Sequence, residues 1–391
     1  MGNRKNGKSK RVENWKSYIK LCSVPDVGSI TAMRLLEAFG SPEGVFAAPR
    51  EKLLEVPRIG AKLADAISAA RQNSDCEKIF ARMEELGAKY VHYKDLRYPR
   101  TLLPLADKPV GFYCIGECDF NAPCIAIVGS RRCSIYGQTV ARKFAATFAR
   151  AGFVVVSGMA RGIDTYAHLG ALEAGGKTVA VLGCGADVVY PPENLQLYER
   201  IKQSGAVVSE FKLGARADRQ TFPIRNRIVS GMSLATVVVE SDVQGGSMIT
   251  ARLAAEQGRD VFAVPGRIDS HASRGCNTLI REGATLAMSA DDIIEELRST
   301  GQVEFDFPES QPAAPELQPH SESAEPAKKP TIKLSDDEAA IIKIFDAERV
   351  LSADEIAEKS AIPVQKCLAL LLMLEIKKVV KKSQNGWILP A

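Results

Sequence analysis

Cys124-Ile125-Ala126-Ile127-Val128-Gly129-Ser130-Arg131 is a short apolar run that ends abruptly in glycine, serine and arginine, with a helical pattern (Gln138 to Arg150) following it. A continuous β-branched run bounded by a glycine turn predicts a strand buried on both faces. The unit recurs. Phe153–Val156, Thr178–Leu182, Val207–Ser209, Ala235–Val239 and Val261–Val264 are further apolar runs, separated by helical patterns such as Asn194 to Lys202. This alternation predicts an α/β fold, a doubly wound parallel sheet covered on both faces, over residues 76–300. Ligands of such sheets bind beyond the carboxyl ends of the strands. The glycine-rich turns after Val128, Val156, Leu182, Val239 and Val264 all fall there.

The flanks are built differently. Residues 14–75 read as helical and contain an echo: Val24-Pro25-Asp26-Val27-Gly28 precedes one apolar helix (Ile30 to Phe39), and Val56-Pro57-Arg58-Ile59-Gly60 precedes another (Leu63 to Ala69). Proline stops the preceding helix and glycine permits a tight turn into the next. The pattern resembles a tandem, SAM-like helix-hairpin-helix, whose glycine turn can offer backbone N–H groups to a DNA phosphate. Such modules also serve packing or protein contacts, and these tips carry Asp26 beside Arg58 in place of a basic cluster. Residues 1–13 hold five basic side chains and form an expected disordered arm. Residues 301–333 turn Pro-, Glu- and Ser-rich, the composition of a flexible linker. Residues 334–391 then give three amphipathic helices (Asp336 to Phe345, Ala353 to Lys359, Val364 to Leu374) and a polar hairpin with Gly386 at its turn and Trp387-Ile388-Leu389 returning. Three helices and a β-wing resemble a winged-helix domain. Its third helix offers only Gln365 and Lys366 for polar readout, and the basic Lys377, Lys378, Lys381 and Lys382 sit in the wing.

Composition narrows the class. A chain of 391 residues is long for one core, and 46% hydrophobic with 25% charged residues is ordinary for a soluble protein, with a net charge of +4. No apolar run approaches bilayer length, so no membrane is expected. Nine cysteines without a repeating framework indicate reduced thiols and a cytoplasmic location. Cys114, Cys118, Cys124 and Cys133 lack zinc-ribbon spacing, so no metal is assigned. Gly129-Ser130-Arg131 is neither a Gly-x-Gly-x-x-Gly fingerprint nor a Walker loop, which argues against a dinucleotide cofactor and nucleotide hydrolysis.

Two loops concentrate groups that suit an anionic, planar ligand. Gly129 allows close backbone approach, Ser130 can donate through Oγ, and Arg131 supplies charge. Phe222-Pro223-Ile224-Arg225-Asn226-Arg227 adds an aromatic face and guanidinium forks ahead of the turn Gly245-Gly246-Ser247. Ser157, Asp164 and His168 lie close in sequence, as a triad would. No oxyanion or elbow motif accompanies them, and Asp164 is expected to cap the helix that carries His168. Glu240 is expected either to orient a ligand or to pair with Arg225 or Arg227. The chain reads as a holder of phosphate backbones and not as an enzyme.

Together these residues resemble the DprA/Smf family of DNA-processing proteins. The motifs are Ile127-Val128-Gly129-Ser130-Arg131, Ser157 to Asp164 with Ala167-His168, Ala180-Val181-Leu182-Gly183 with Tyr190-Pro191, and Ser209-Glu210. Phe222 to Arg227, Gly246-Ser247 with Thr250-Ala251, and Pro265-Gly266 complete them. The resemblance implies an extended Rossmann domain that binds single-stranded DNA without sequence preference, dimerises, and helps load the RecA recombinase during natural transformation. It implies that Gly129, Ser130 and Arg131 hold phosphate and that Phe222 stacks a base. Arg225, Asn226 and Arg227 stand near the same pocket, with Arg227 equally placed to hold the sheet together. Gly246 and Ser247 belong to the same set, and Lys212, Arg216 and Arg219 are the basic residues before Phe222. Two rivals remain. One is a nucleoside-monophosphate hydrolase of the lysine-decarboxylase-like Rossmann group, whose motif glutamate has no counterpart after Thr250. The other is a scaffold that binds DNA through its winged helix.

Overall fold

The computed structural model describes residues 14–71, 76–303, 336–342, 344–345, 352–360, 362–376, 379–383 and 386–388. The chain divides into two compact units, Met1–Ala313 and Ala314–Ala391. The basic arm, the linker beyond Val303, the wing residues Lys377 and Lys378, and Leu389 lie outside the described residues.

The first unit opens with a helical head: α1 (Asn14–Cys22), α2 (Ser29–Phe39), α3 (Pro42–Ala47), α4 (Arg50–Leu54), α5 (Ala61–Ala70) and α6 (Cys76–Leu86). Its two hairpins are bonded alike. Val27 N–H donates to Val24 O and Ile59 N–H to Val56 O, each at 3.1 Å, and all four side chains are buried. The sharp turn is made by Asp26 (φ 65°) and Arg58 (φ 67°), not by the glycines. Gly28 and Gly60 keep φ near −82° and −87° and serve as N-caps of α2 and α5. Space in front of both is open, since an added Cβ would meet nothing within 4 Å. The expected role of glycine is therefore corrected: proline and the left-handed residue after it turn the chain, and glycine leaves the helix start uncovered.

Strands and helices then alternate: β1 (Lys89–His92), β2 (Gly111–Gly116), β3 (Cys124–Val128), α7 (Ile135–Arg150), β4 (Val154–Ser157), α8 (Ile163–Glu173), β5 (Thr178–Val181), α9 (Leu195–Ser204) and β6 (Ala206–Ser209). The second half continues with α10 (Thr221–Gly231), β7 (Ala235–Val238), α11 (Gly246–Glu256), β8 (Asp260–Ala263), α12 (His271–Arg281), β9 (Thr285–Leu286) and α13 (Ala290–Ser299). They form one nine-stranded sheet in the order β1-β2-β6-β5-β4-β3-β7-β8-β9. The run from β6 to β9 is parallel, as predicted; β1 and β2 add an antiparallel edge that the sequence reading did not foresee. Alternation of side chains along each strand feeds both faces. Ile125 and Ile127 of β3 pack with Phe144 and Phe148 of α7, whereas Ala126 and Val128 pack with Ile228 of α10 and Met248 of α11. On β2, Tyr113 and Ile115 enter the core of the head while Phe112 and Cys114 enter that of the sheet, so head and sheet edge share packing.

Strand β3 has β4 on one side and β7 on the other, and chain order reverses between β3 and β7. Connections to left and right part there, leaving a crevice beyond the strand ends.

The second unit comprises α14 (Asp336–Ile342), α15 (Ala353–Ser360), α16 (Val364–Ile376) and an antiparallel pair, β10 (Lys381–Ser383) and β11 (Gly386–Ile388). Ile356, Leu371 and Trp387 meet in its core. Gly386 opens the returning strand opposite Ser383, where the hairpin turn was expected to hold it.

Candidate functional site

A groove of about 630 Å³ occupies the crevice between the β3 and β7 ends. Gly129, Ser130, Arg131, Arg219, Phe222, Arg225, Asn226, Gly246 and Ser247 all line it, so nine of the residues singled out in the sequence meet in one place. Lys212 and Arg216 are exposed on the chain leading to α10 and are not among the lining residues. Arg227 is not among them either.

Phe222 stands in the first turn of α10, laid flat against Gly183, where an added Cβ would come within 2.9 Å of Phe222 Cδ1. The Arg131 guanidinium carbon lies 5.1 Å from the Phe222 ring centroid, and the Tyr190 ring is 5.6 Å away at 35°. A cation at that distance over an aromatic face is held by the ring quadrupole, weakly when exposed. Among the described residues Arg131 and Arg219 hold no carboxylate, whereas Arg161 on the adjoining wall pairs with Glu193. Two uncommitted guanidinium groups beside an aromatic platform leave charge available to a ligand.

The helix starts around the groove are not equivalent. At the start of α7, Glu240 is buried and its carboxylate accepts the Ser134 N–H (2.8 Å) and hydroxyl (2.5 Å). Gly137 makes room for it, since a Cβ there would sit 2.4 Å from Glu240 Oε2. Glu240 thus pairs with neither Arg225 nor Arg227; it fills the anion-binding position that a helix N-terminus creates. The start of α11 carries no such acid. Met248 N–H donates to Gly245 O at 3.0 Å, the Gly246 and Ser247 N–H groups before it have no intrahelical acceptor, and Ser247 Oγ donates to Ser241 Oγ at 2.7 Å. The start of this helix, with no acid in its first turn, lines the same groove as Arg131, Arg219 and Asp242.

Arg225 forms the floor. It is 4% exposed, and its Nη1 donates to Gly158 O (2.8 Å) and to Val181 O while Nε reaches Asn226 Oδ1 (3.2 Å). Burial pulls its pKa below the usual arginine value, against the attraction of Asp164. Asp164, in turn, accepts the Gly158 and Ala160 N–H groups at 3.1 and 3.3 Å, and burial pushes its pKa up while Arg225 opposes that. It braces the preceding loop and does not cap its own helix, whose N-cap is Gly162. Ser157 Oγ donates to Ile127 O at 2.7 Å. The Thr178 hydroxyl donates to Val155 O, which makes the His168 Nδ1–H, 2.7 Å away, its donor. His168 is fully buried, and burial lowers its pKa to about 3. Ser157, Asp164 and the Nδ1 of His168 are thus spent on structure, and His168 Nε2 is buried with no hydrogen-bond partner among the described residues.

Arg227 faces the other way. Its Nη2 donates to both Glu210 oxygens (2.9 and 2.8 Å) and to Ser29 Oγ (3.1 Å), Nε to Asp107 O (3.0 Å) and Nη1 to Ile224 O (3.0 Å). It therefore clamps the head to the sheet, away from the groove. Tyr190 and Asp242 are groove residues to which the sequence gave no role; the aromatic–proline pair Tyr190-Pro191 was the available signal. In the second unit, α16 turns Val364, Leu368 and Leu372 outward, and Lys366 is paired with Asp337 at 2.6 Å. An aliphatic stripe with its lysine engaged is a poor reader of base edges.

Comparison with known proteins agrees along the chain. The family profile of DNA recombination-mediator protein A matches residues 89–298, that of the SAM-like helix-hairpin-helix tandem residues 18–73, and that of the DprA winged-helix domain residues 325–386. Protein Smf of Synechocystis sp. is 32% identical over 93% of this chain and 96% of its own. DNA processing protein DprA of Streptococcus pneumoniae is 43% identical over 51% of this chain and 71% of its own. An X-ray structure of DNA processing protein A from Streptococcus pneumoniae, 34% identical, covers 72% of this chain and 97% of that one with a TM-score of 0.64.

Proposed function

The chain belongs to the DprA/Smf family, and on that premise we propose that its groove grips single-stranded DNA without sequence preference in the backbone contacts and without cutting it. The observation that carries this is the uncommitted guanidinium of Arg131 lying over the Phe222 ring, beside a helix start with no acid of its own. Single strands are held by cationic grooves with aromatic platforms. Phosphates run along Arg131, Arg219 and the α11 start, while an unstacked base replaces Arg131 on Phe222. A duplex, whose bases are stacked and paired, cannot offer that base. Binding without bond cleavage is consistent with His168 and Glu240 both being engaged in structural bonds.

The family resemblance supports the rest of the proposal: the protein shields incoming strands in the cytoplasm, loads RecA onto them during transformation or recombination, and dimerises through its central domain. The domain division at 14–75, 76–300 and 334–391 belongs to the same proposal. No helix among the described residues is long and apolar enough to cross a membrane. Titrating the whole protein with single- and double-stranded oligonucleotides of equal length, at two salt concentrations, tests the central step. Tighter single-strand binding that weakens with salt is expected. Equal affinity for duplex, or binding indifferent to salt, overturns it.

A further inference from the structure

Behind the groove lies a recess of about 20 Å³, room for one water-sized atom, whose lining includes Gly158, Gly183 and Phe222 together with Arg131, Arg161 and Arg225. Gly158 and Gly183 make it possible. A Cβ on the first would collide with the Arg225 guanidinium, at 2.4 Å from Nη2, and one on the second would meet the Phe222 ring. Arg225 lines both the recess and the groove. Two of its three nitrogens are used, Nη1 by the Gly158 and Val181 carbonyls and Nε by Asn226; among the described residues Nη2 has no acceptor. A donor held in position by the other bonds of its guanidinium, in a residue that lines both cavities, is placed for an acceptor that enters them.

We propose, resting on the single-strand reading of the groove, that the Arg225 Nη2 donor reads the exocyclic carbonyl of the base stacked on Phe222, so that thymine and guanine are favoured over adenine at this position. The size of the recess admits one protruding oxygen and no larger group. Of the other two guanidinium groups that line it, Arg161 is paired with Glu193 and Arg131 rests on the ring that the base would take, so the donor left for a base edge is that of Arg225. Thymine O4 and guanine O6 protrude as acceptors. Adenine presents an exocyclic amine at the equivalent place, a second donor facing a donor, and its ring nitrogens do not project far enough to enter. The backbone grip stays blind to sequence, and the recess adds a bias at one base.

The test alters the DNA first, because Arg225 also braces two carbonyls and its replacement can unfold the domain. Fluorescence anisotropy with the whole protein compares oligothymidine with an oligomer of equal length carrying difluorotoluene, which keeps thymine's shape and stacking but accepts hydrogen bonds poorly. A charge-assisted hydrogen bond predicts about tenfold or more weaker binding of the isostere, with oligodeoxyadenosine weakened similarly. Arg225→Lys, if a melting curve shows it folded, brings thymine and adenine oligomers within about twofold of each other, because the fork is lost. Equal affinity for oligothymidine and the isostere overturns the inference while leaving the groove intact. Failure of every oligomer to bind removes the groove reading and this one with it.

Discussion

Arg131 at the groove and Arg227 at the head–sheet seam lie at opposite ends of a spectrum. Arg227 is buried and spends its nitrogens on Glu210, Ser29 and two carbonyls, whereas Arg131 is exposed, rests on an aromatic ring and forms no ion pair among the described residues. The seam is closed chemically and the groove is open. A saturated arginine in the interior is a fastener, and an unsaturated one beside a π-face and a helix start is a ligand site. Arg225 lies between them, fastened through Nη1 and Nε but retaining one donor.

The largest effect that sharpens this contrast falls at the seam. Arg227→Ala removes a buried cation from the half-buried Glu210 and from the head–sheet seam, and is expected to cost about 3 kcal/mol in chemical denaturation. Any molecules that remain folded should bind oligothymidine as the wild type does, since no groove contact is lost; a selective loss of binding in a fully stable variant would erase the distinction. Phe222→Ala comes next, with about 1–3 kcal/mol of single-strand affinity lost to the missing platform and unfolding little changed. Calorimetric titration beside a thermal melt separates the two. Arg131→Ala is expected to act chiefly through salt: the slope of log K against log salt becomes shallower by about 0.7 for the one phosphate contact removed. A slope identical to that of the wild type would place Arg131 outside the path of the strand.

What was legible in the sequence follows the same division. The parallel strands could be read because β-branched runs buried on both faces leave a continuous apolar signature, and their ends located the groove. The antiparallel edge was not legible. Lys89-Tyr90-Val91-His92 is short and mixed, and Gly111–Gly116 packs against a helical head whose position no local pattern reveals. On α10, Arg225 and Arg227 sit about 200° apart around the helix, so the sequence requires opposite faces. Which one met the groove depended on Glu210 and Ser29, distant in the chain. Asp164 and Glu240 looked chemical because carboxylates near glycine turns often are. Only coordinates show that backbone N–H groups occupy the first, and the Ser134 N–H and hydroxyl the second.

A structure of the protein bound to oligothymidine is the most direct measurement. The strand should run from Arg219 past the start of α11 to Arg131, with one base lying on Phe222 where the guanidinium now rests. A strand seated at the tips of the helical head or on the winged helix, with the groove between β3 and β7 empty, would contradict the account.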